Sequence, residues 1–373
     1  MEPIKKNGKN AAIHNKVHST GRVQQKISFK EVSMKRFLTV ILALLVAVSF
    51  AFAGGAQEKK GAAPGKKIKI VWSSVSVPND AHTKAMYIFK KELEKLTNGK
   101  VEVDVYPSGQ LFTQEAAQAA IRKGTLDMVY TGPNWLAQYV PYMSMFAAAY
   151  IFKDYNHMTK TFNGPIGKKI FADIAKKVGI RPLGAFYLGT RELNLRDIGR
   201  VVRTPQDMKG VKLRMPNTPT WLFMGKALGA NPTPLSFSEV YMALKTGTID
   251  GQDNPLPTDK NAKFYEVTKY IILTDHYINP IFPTMNEKKW ESLGPDIQAK
   301  VYKALEKARE FCDTTNLNAE SKLLDFFKKQ GLIIVKPDKE AFMKYAQHMY
   351  LSNKKISGSW DMNLFKEVQA LAK

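Results

Sequence analysis

Apolar and polar residues alternate from Ile68 to Val75 and again from Val101 to Tyr106, the period of half-buried β-strands. Between them the period changes. Met86, Phe89, Leu93 and Leu96 recur at helical spacing within His82 to Leu96, and Asn98-Gly99 supplies the stop. A second helical pattern runs from Gln114 to Arg122 and halts at Gly124, and Leu126 to Tyr130 returns to a strand. Parallel strands need a crossover between them, so this β-α-β-α-β order predicts a mostly parallel sheet with helices on its faces.

The pattern resumes further along the chain. Ile180 to Tyr187 and Val211 to Met215 read as strands, Thr220 to Leu228 as a helix, and Ile249-Asp250 as the start of another strand. Ser236-Phe237-Ser238-Glu239 is a capping box ahead of a short helix, Val240 to Lys245, with Gly247 as its stop. From Pro295 to Gln330-Gly331 the apolar positions Ile297, Val301, Leu305, Phe311, Leu317, Leu324 and Phe327 mark one long helix. Some 35 residues at 1.5 Å each reach roughly 50 Å, longer than a small lobe is wide. Such a helix would tie two lobes together, with Asp313 to Asn318 as its weakest helix-forming stretch. A chain of 373 residues also predicts more than one domain.

The first 67 residues follow none of these patterns. Met34-Lys35-Arg36, the apolar run from Phe37 to Phe52 and the ending Ala51-Phe52-Ala53 read as a signal peptide over residues 34–53, too short for a membrane span. No Cys follows it, so the expected location is periplasmic without a lipid anchor. Residues 1–33 then read as a misassigned upstream extension, and Gly54 to Lys67 as a flexible leader. The formal net charge is +23, and the 320 residues after residue 53 keep 47 basic against 31 acidic side chains. Those cations are scattered beside Glu, as in Lys90-Lys91-Glu92, which predicts a solvated surface and no nucleic-acid groove. The lone Cys312, beside Phe311, excludes an intrachain disulfide or a Cys-based metal site and reads as a buried small hydrophobe.

Nothing in the motifs argues for catalysis. Beyond the signal only His82, His157, His276 and His348 remain, without metal-ligand spacing, and there is no nucleophile elbow, P-loop or dinucleotide fingerprint. No metal and no cofactor is therefore expected. The candidate chemistry is the recognition of a carboxylate. Arg191, after Gly189-Thr190, and Arg214, in Leu213-Arg214-Met215, fall at strand ends, where ligands meet α/β sheets. Asn254 lies in Asp250-Gly251-Gln252-Asp253-Asn254-Pro255, read as a polar turn. Two guanidinium forks and an amide could grip one carboxylate, and the alternative is that each Arg pairs with a surface acid.

Leu213-Arg214-Met215-Pro216-Asn217, Asn231-Pro232-Thr233-Pro234-Leu235-Ser236-Phe237-Ser238-Glu239-Val240-Tyr241 and Asp250 to Pro255 closely resemble the DctP-type substrate-binding proteins of TRAP transporters. Tyr106 to Leu111, Gly189-Thr190-Arg191 and Phe264 to Val267 extend the resemblance over about residues 68–350. It implies an α/β, two-lobe, periplasmic binding protein type II-like fold with mixed, mostly parallel sheets, hinge strands and a long helix spanning both lobes. Residues 68–188 with 280–319 would form the first lobe, and 189–279 with 320–365 the second. The implied role is a solute-binding subunit, not an enzyme, that captures a small organic acid and delivers it to the small and large TRAP membrane subunits. A signalling receptor component of the same fold, or an exported enzyme, is the alternative.

By the same resemblance Arg214 grips the ligand carboxylate bidentately, Arg191 and Asn254 add contacts, and Phe237 walls the pocket. From the first lobe Thr131 and Asn134 face the ligand, and Trp72 and Ser73, at the end of the first strand, are further candidates. The stretch Thr131 to Trp135 contains no acid. With Phe237, Trp72 and Trp135 nearby, this predicts an acid with an apolar or aromatic remainder and disfavours sialic acid and other heavily hydroxylated acids.

Overall fold

The computed structural model describes residues 67–372. The expected extension, the signal peptide and all but the last residue of the leader lie outside the described residues. The first run of elements is β1 (Ile68–Ser73), α1 (Ala81–Leu96), β2 (Val101–Tyr106), α2 (Gln114–Lys123) and β3 (Met128–Thr131). β1 pairs parallel with β2 on one side and β3 on the other, so α1 and α2 are the crossovers that the changing period predicts. Met86, Phe89 and Leu93 of α1 are buried against Ile70, Trp72, Val101 and Val103. Gly124 ends α2 in the left-handed conformation (φ 76°), which glycine adopts without a Cβ clash.

Two single helical turns, Pro133–Leu136 and Met143–Phe146, precede α3 (Tyr155–Asn163) and α4 (Pro165–Val178), and then come β4 (Ile180–Pro182) and β5 (Phe186–Leu195). The strand expected over Ile180 to Tyr187 is thus two strands broken at Leu183–Ala185, and its second part runs on through Arg191. The second parallel unit is β6 (Lys212–Met215), α5 (Pro219–Ala227), β7 (Asn231–Pro234), α6 (Val240–Thr246), β8 (Gly251–Pro255) and α7 (Leu256–Asn261). β8 corrects the expected polar turn. All five of its residues are buried between β5 and β6, and no alternation signals it because its polar side chains are paired inside the protein.

β9 (Tyr270–Asn286) joins the two units. Its 17 residues pair antiparallel with β3 and β4 at one end and parallel with β10 (Ile333–Val335) at the other, with β5 beside it for most of its length. The sheet order is β2-β1-β3-β9-β5-β8-β6-β7, a mixed sheet in two lobes threaded by β5 and β9. Gly189 of β5 packs so closely that a Cβ there would lie 2.5 Å from Pro255 Cβ, and its φ of 135° suits glycine.

The long helix is α8 (Glu287–Lys329), turned at Gly294 (φ 70°) so that Pro295 opens its main segment. It does not break at Asp313 to Asn318. β8 meets β5 only from Arg191 onward, which leaves an open strand edge at Tyr187. α8 covers that edge: Asp313 Oδ1 accepts from the Tyr187 N–H at 2.7 Å, and Asn316 Nδ2 donates to the Tyr187 carbonyl at 2.8 Å. Glu320, on the same helical face, accepts from the Thr190 N–H at 2.7 Å and from the Tyr187 hydroxyl at 2.9 Å. Polar residues that weaken an isolated helix here secure the hinge strand. Cys312 is fully buried beside them in the first-lobe core.

The C-terminal segment departs from the expected lobe division. α9 (Lys339–Ser352) packs on α5, but α10 (Met362–Ala370) returns to the first-lobe helices. The Val368 carbonyl meets His157 Nε2 at 2.8 Å, and Gln369 donates to the Ile151 carbonyl at 3.0 Å.

Burial raises the Asp313 carboxyl to about 6, although the Tyr187 N–H and the Tyr155 hydroxyl oppose the shift. Its folded pKa lies above its unfolded value, so the folded state binds the extra proton between pH 4 and 6. Stability from this group is therefore present in acid and lost as pH rises through about 6, by about 3 kcal/mol. Asp313→Asn should flatten the fall in urea-unfolding stability between pH 4.5 and 7.5. An unchanged slope would show that Asp313 does not titrate in this range.

Candidate binding site

A cavity of about 110 Å³ lies where the two lobes face each other. At the roughly 10–15 Å³ that one water occupies on this measure, it holds about 7–11 water-sized groups. Arg191, Arg214, Phe237, Asn254, Thr131 and Asn134 all line it, contributed by β5, β6, the turn before α6, β8, β3 and the turn after β3. Among the described residues no cluster of His, Cys, Asp or Glu has metal-ligating geometry.

The two arginines differ in one decisive respect. Arg191 sits within β5, not at a strand end, and is 3% exposed. Its Nε donates to Asp253 Oδ2 at 2.7 Å, its Nη2 to Asp253 Oδ1 at 3.1 Å, and its Nη1 to Asn279 Oδ1 at 2.9 Å. Burial alone would raise the Asp253 carboxyl, but Arg191 and His276 outweigh it and hold it below the usual carboxylate range. His276, kept neutral by burial, places Nε2 3.1 Å from the same carboxylate and Nδ1 2.8 Å from the Thr274 hydroxyl. Arg191 therefore has its acid, and that acid lies in the protein interior rather than on the surface.

Arg214 has none. It is 1% exposed on β6, its Nε donates to the Leu235 carbonyl at 2.8 Å, and its Nη2 is buried without a partner. Its guanidinium carbon stands 5.9 Å from the Phe237 ring centroid. Burial lowers its pKa to about 10, so it remains charged at neutral pH. A buried cation with a free donor is costly until an anion completes it.

The first-lobe wall is polar. Thr131 Oγ1 and Asn134 Oδ1 are buried without partners, and Ser74, Ser76, Asp80 and His82 line the cavity beside them. Asn254 donates to Gln252, whose own amide donates to Asp259 at 2.8 Å, so β8 presents an ordered amide. Trp221 adds an aromatic wall with its Nε1 unpartnered, and its ring lies 4.5 Å from the Arg191 guanidinium carbon.

Two expected site residues do not reach the cavity. Trp72 is fully buried in the first-lobe core, 5.2 Å from Phe89 and 5.0 Å from Tyr130 between ring centroids. Ser73 is also fully buried, and the cavity lining begins at Ser74, where β1 has ended. Alternation along β1 turns Trp72 toward α1. The expected lack of a first-lobe acid is also corrected, because Asp80 supplies one. Its place before α1 has the appearance of an N-cap, yet its side chain makes no capping bond.

Residues 72–355 match the family model described as bacterial extracellular solute-binding protein, family 7. The sialic acid-binding periplasmic protein of Vibrio cholerae is 35% identical over 258 residues, 69% of this chain and 79% of that protein. A TRAP periplasmic solute-binding protein from Roseobacter denitrificans, solved with bound 3-deoxy-D-manno-oct-2-ulosonic acid, aligns at a TM-score of 0.78 with 35% identity, covering 82% of this chain and 99% of that one. A second from that organism, with bound L-galactonate, aligns at 0.75 with 31% identity, covering 83% and 99%. The order of strands, the two lobes and the cavity between them agree with a match of that extent, and the chain belongs to the extracellular solute-binding protein family 7, the DctP family of TRAP periplasmic solute-binding proteins.

Proposed function

We propose that this protein captures a hydroxylated monocarboxylic acid of the sugar-acid class, seats its carboxylate on Arg214, and delivers it to TRAP membrane subunits. The observation that carries the reading is the fully buried, cavity-facing guanidinium of Arg214 with no acid of its own. A ligand carboxylate supplies the missing anion and accepts from the fork, a charge-assisted bond that contributes on the order of 1.5–3 kcal/mol net. Arg191 contributes differently. With Asp253 already neutralising it, its role is to hold β5 and β8 in register and to offer an edge of its guanidinium.

The class of ligand follows from the opposite wall. Thr131, Asn134, Ser74, Ser76 and Asp80 are hydroxyl, amide and carboxylate groups suited to the hydroxyls of a polyol. Asp80 also disfavours a second carboxylate at that end, where like charges would meet. The expected apolar remainder rested partly on Trp72, which belongs to the core. The relatives named above bind sialic acid, 3-deoxy-D-manno-oct-2-ulosonic acid and L-galactonate, all of them hydroxylated acids.

A thermal-shift screen of protein refolded to strip bound ligand tests the reading, with those three acids, succinate and neutral polyols as probes. A ligand at a hundred times its Kd adds about 2.7 kcal/mol of stability. Stabilisation by a hydroxy acid but not by its amide is expected. Stabilisation by neutral sugars alone, or by succinate alone, would overturn the assignment. Arg214→Ala should weaken binding at least about a hundredfold, and Arg214→Lys should not restore it, because an ammonium lacks the planar fork.

The two arginines should also separate by stability. Asp253→Ala strands a buried Arg191 and should cost about 3–5 kcal/mol in urea unfolding of the ligand-free protein. Arg214→Ala removes a cation that has no acid partner and should leave ligand-free stability unchanged or higher. Equal losses for the two variants would contradict this division of roles.

A further inference from the structure

The rim of the cleft is bridged by hydrogen bonds between residues distant in sequence. Asp80 Oδ1 accepts from Asn261 Nδ2 at 2.8 Å, Glu115 Oε2 accepts from the Ser236 hydroxyl at 3.1 Å, and the Asn134 carbonyl accepts from the Thr220 hydroxyl at 2.9 Å. In every case the first lobe accepts and the second donates. Asp80 and Asn134 line the cavity, whereas Asn261, Ser236 and Thr220 do not.

In the Asp80–Asn261 bond the carboxylate has been withdrawn from its usual work. Asp80 precedes α1 at the N-cap position, where an Asp side chain ordinarily accepts from the first helical turn. Here Oδ2 turns back to the Val77 N–H at 3.0 Å, and Oδ1 reaches across the cleft. Asp80 is 2% exposed, and burial raises its carboxyl while His82 and Asn261 oppose the shift. Burying a carboxylate is unfavourable unless donors replace its water. Asn261 stands on α7 of the other lobe, so that donor is in place only when the lobes are closed.

We infer that Asn261 is a positioning residue for ligand capture: it sets the closed fraction of the protein by holding Asp80 across the rim, and Ser236 and Thr220 assist it. The inference rests on the reading that the lobes close over a ligand, but it concerns residues that the ligand does not touch. Lost latching accelerates escape more than it slows entry, since changes in affinity within one site fall mainly on dissociation.

The test uses the full chain with spin labels on Ala119→Cys in α2 and Lys245→Cys in α6, both exposed. Native Cys312 is buried and its thiol is pushed up by burial, so it stays unlabelled. At pH 8, Asn261→Asp places a second carboxylate opposite Asp80, and Asn261→Lys places an ammonium there. Pulsed electron resonance on ligand-free protein should show longer distances for Asn261→Asp than for Asn261→Lys, with the closed-to-open ratio differing about tenfold, roughly 1.4 kcal/mol. Identical distributions would overturn the proposal whatever the ligand proves to be. A second arm measures release of 3-deoxy-D-manno-oct-2-ulosonic acid and of L-galactonate. Dissociation from Asn261→Asp should be about ten times faster than from the parent, with association within twofold, and equal release rates would also overturn it. If neither acid binds the parent, the ligand class proposed above fails, and the ligand-free comparison still decides the latch.

Discussion

The pairing of Arg191 with Asp253 governs the electrostatics of the whole cleft. Without it, two buried guanidinium groups would face one cavity, and each would be costly to desolvate. With both carboxylate oxygens and a histidine committed to it, Arg191 becomes a neutralised strut between β5 and β8. The charged side chains left to set the field in the cavity are then Arg214 from the second lobe and Asp80 from the first. In the proposed reading, the anionic group goes to β6 and groups able to donate go to the first-lobe wall. A low-polarity surrounding makes such fixed charges count for more than they would in water.

The same pair lies on the strands about which the lobes are joined. β5 carries Arg191, β9 carries Asn279 and His276, and β8 carries Asp253, so one buried network ties three strands where the lobes meet. α8 completes the arrangement from the outside by taking the backbone groups of Tyr187 and Thr190. In the closure inferred above, β5 and β9 would bend beside this network and the α8 contacts. The register shifts in β5 and β9, between Tyr187 and Gly189 and between Arg191 and Leu193, give the ladder local slack beside the fixed points.

Periodicity made the parallel units legible because their strands and helices bury apolar faces against one another. It was silent where polar groups are buried together. β8 has Gln252, Asp253 and Asn254 in its centre and looked like a turn, since nothing in Asp-Gly-Gln-Asp-Asn-Pro distinguishes solvent from an internal partner. Asp313 and Asn316 looked like a weak point of the long helix for the same reason. Of the site, Arg214 was legible from its place at the end of an apolar strand and from the family resemblance. Asp80 was not, because Asn79-Asp80 before a helical pattern already has an ordinary explanation as a cap. Trp72 misled in the opposite sense: an aromatic residue at a strand end fits either face until the partner strands are known.

The path of the chain through the lobes has a consequence for how the molecule comes into being. One core begins with Ile70 on β1 and takes in Met285 and Trp290 only after the excursion through the second lobe, and another begins with Ala117 on α2, includes Phe223 and Ala227 of α5, and closes with Val368 on α10. Neither lobe is therefore a continuous stretch of sequence. The small core from Val240 to Phe264 is local, whereas the core that closes on Val368 stays incomplete until almost the last residue has been added. Contacts of such long sequence separation form slowly. A local core can therefore form early in the chain's history, while the core that joins the first-lobe helices to α10 must wait for the C-terminal residues.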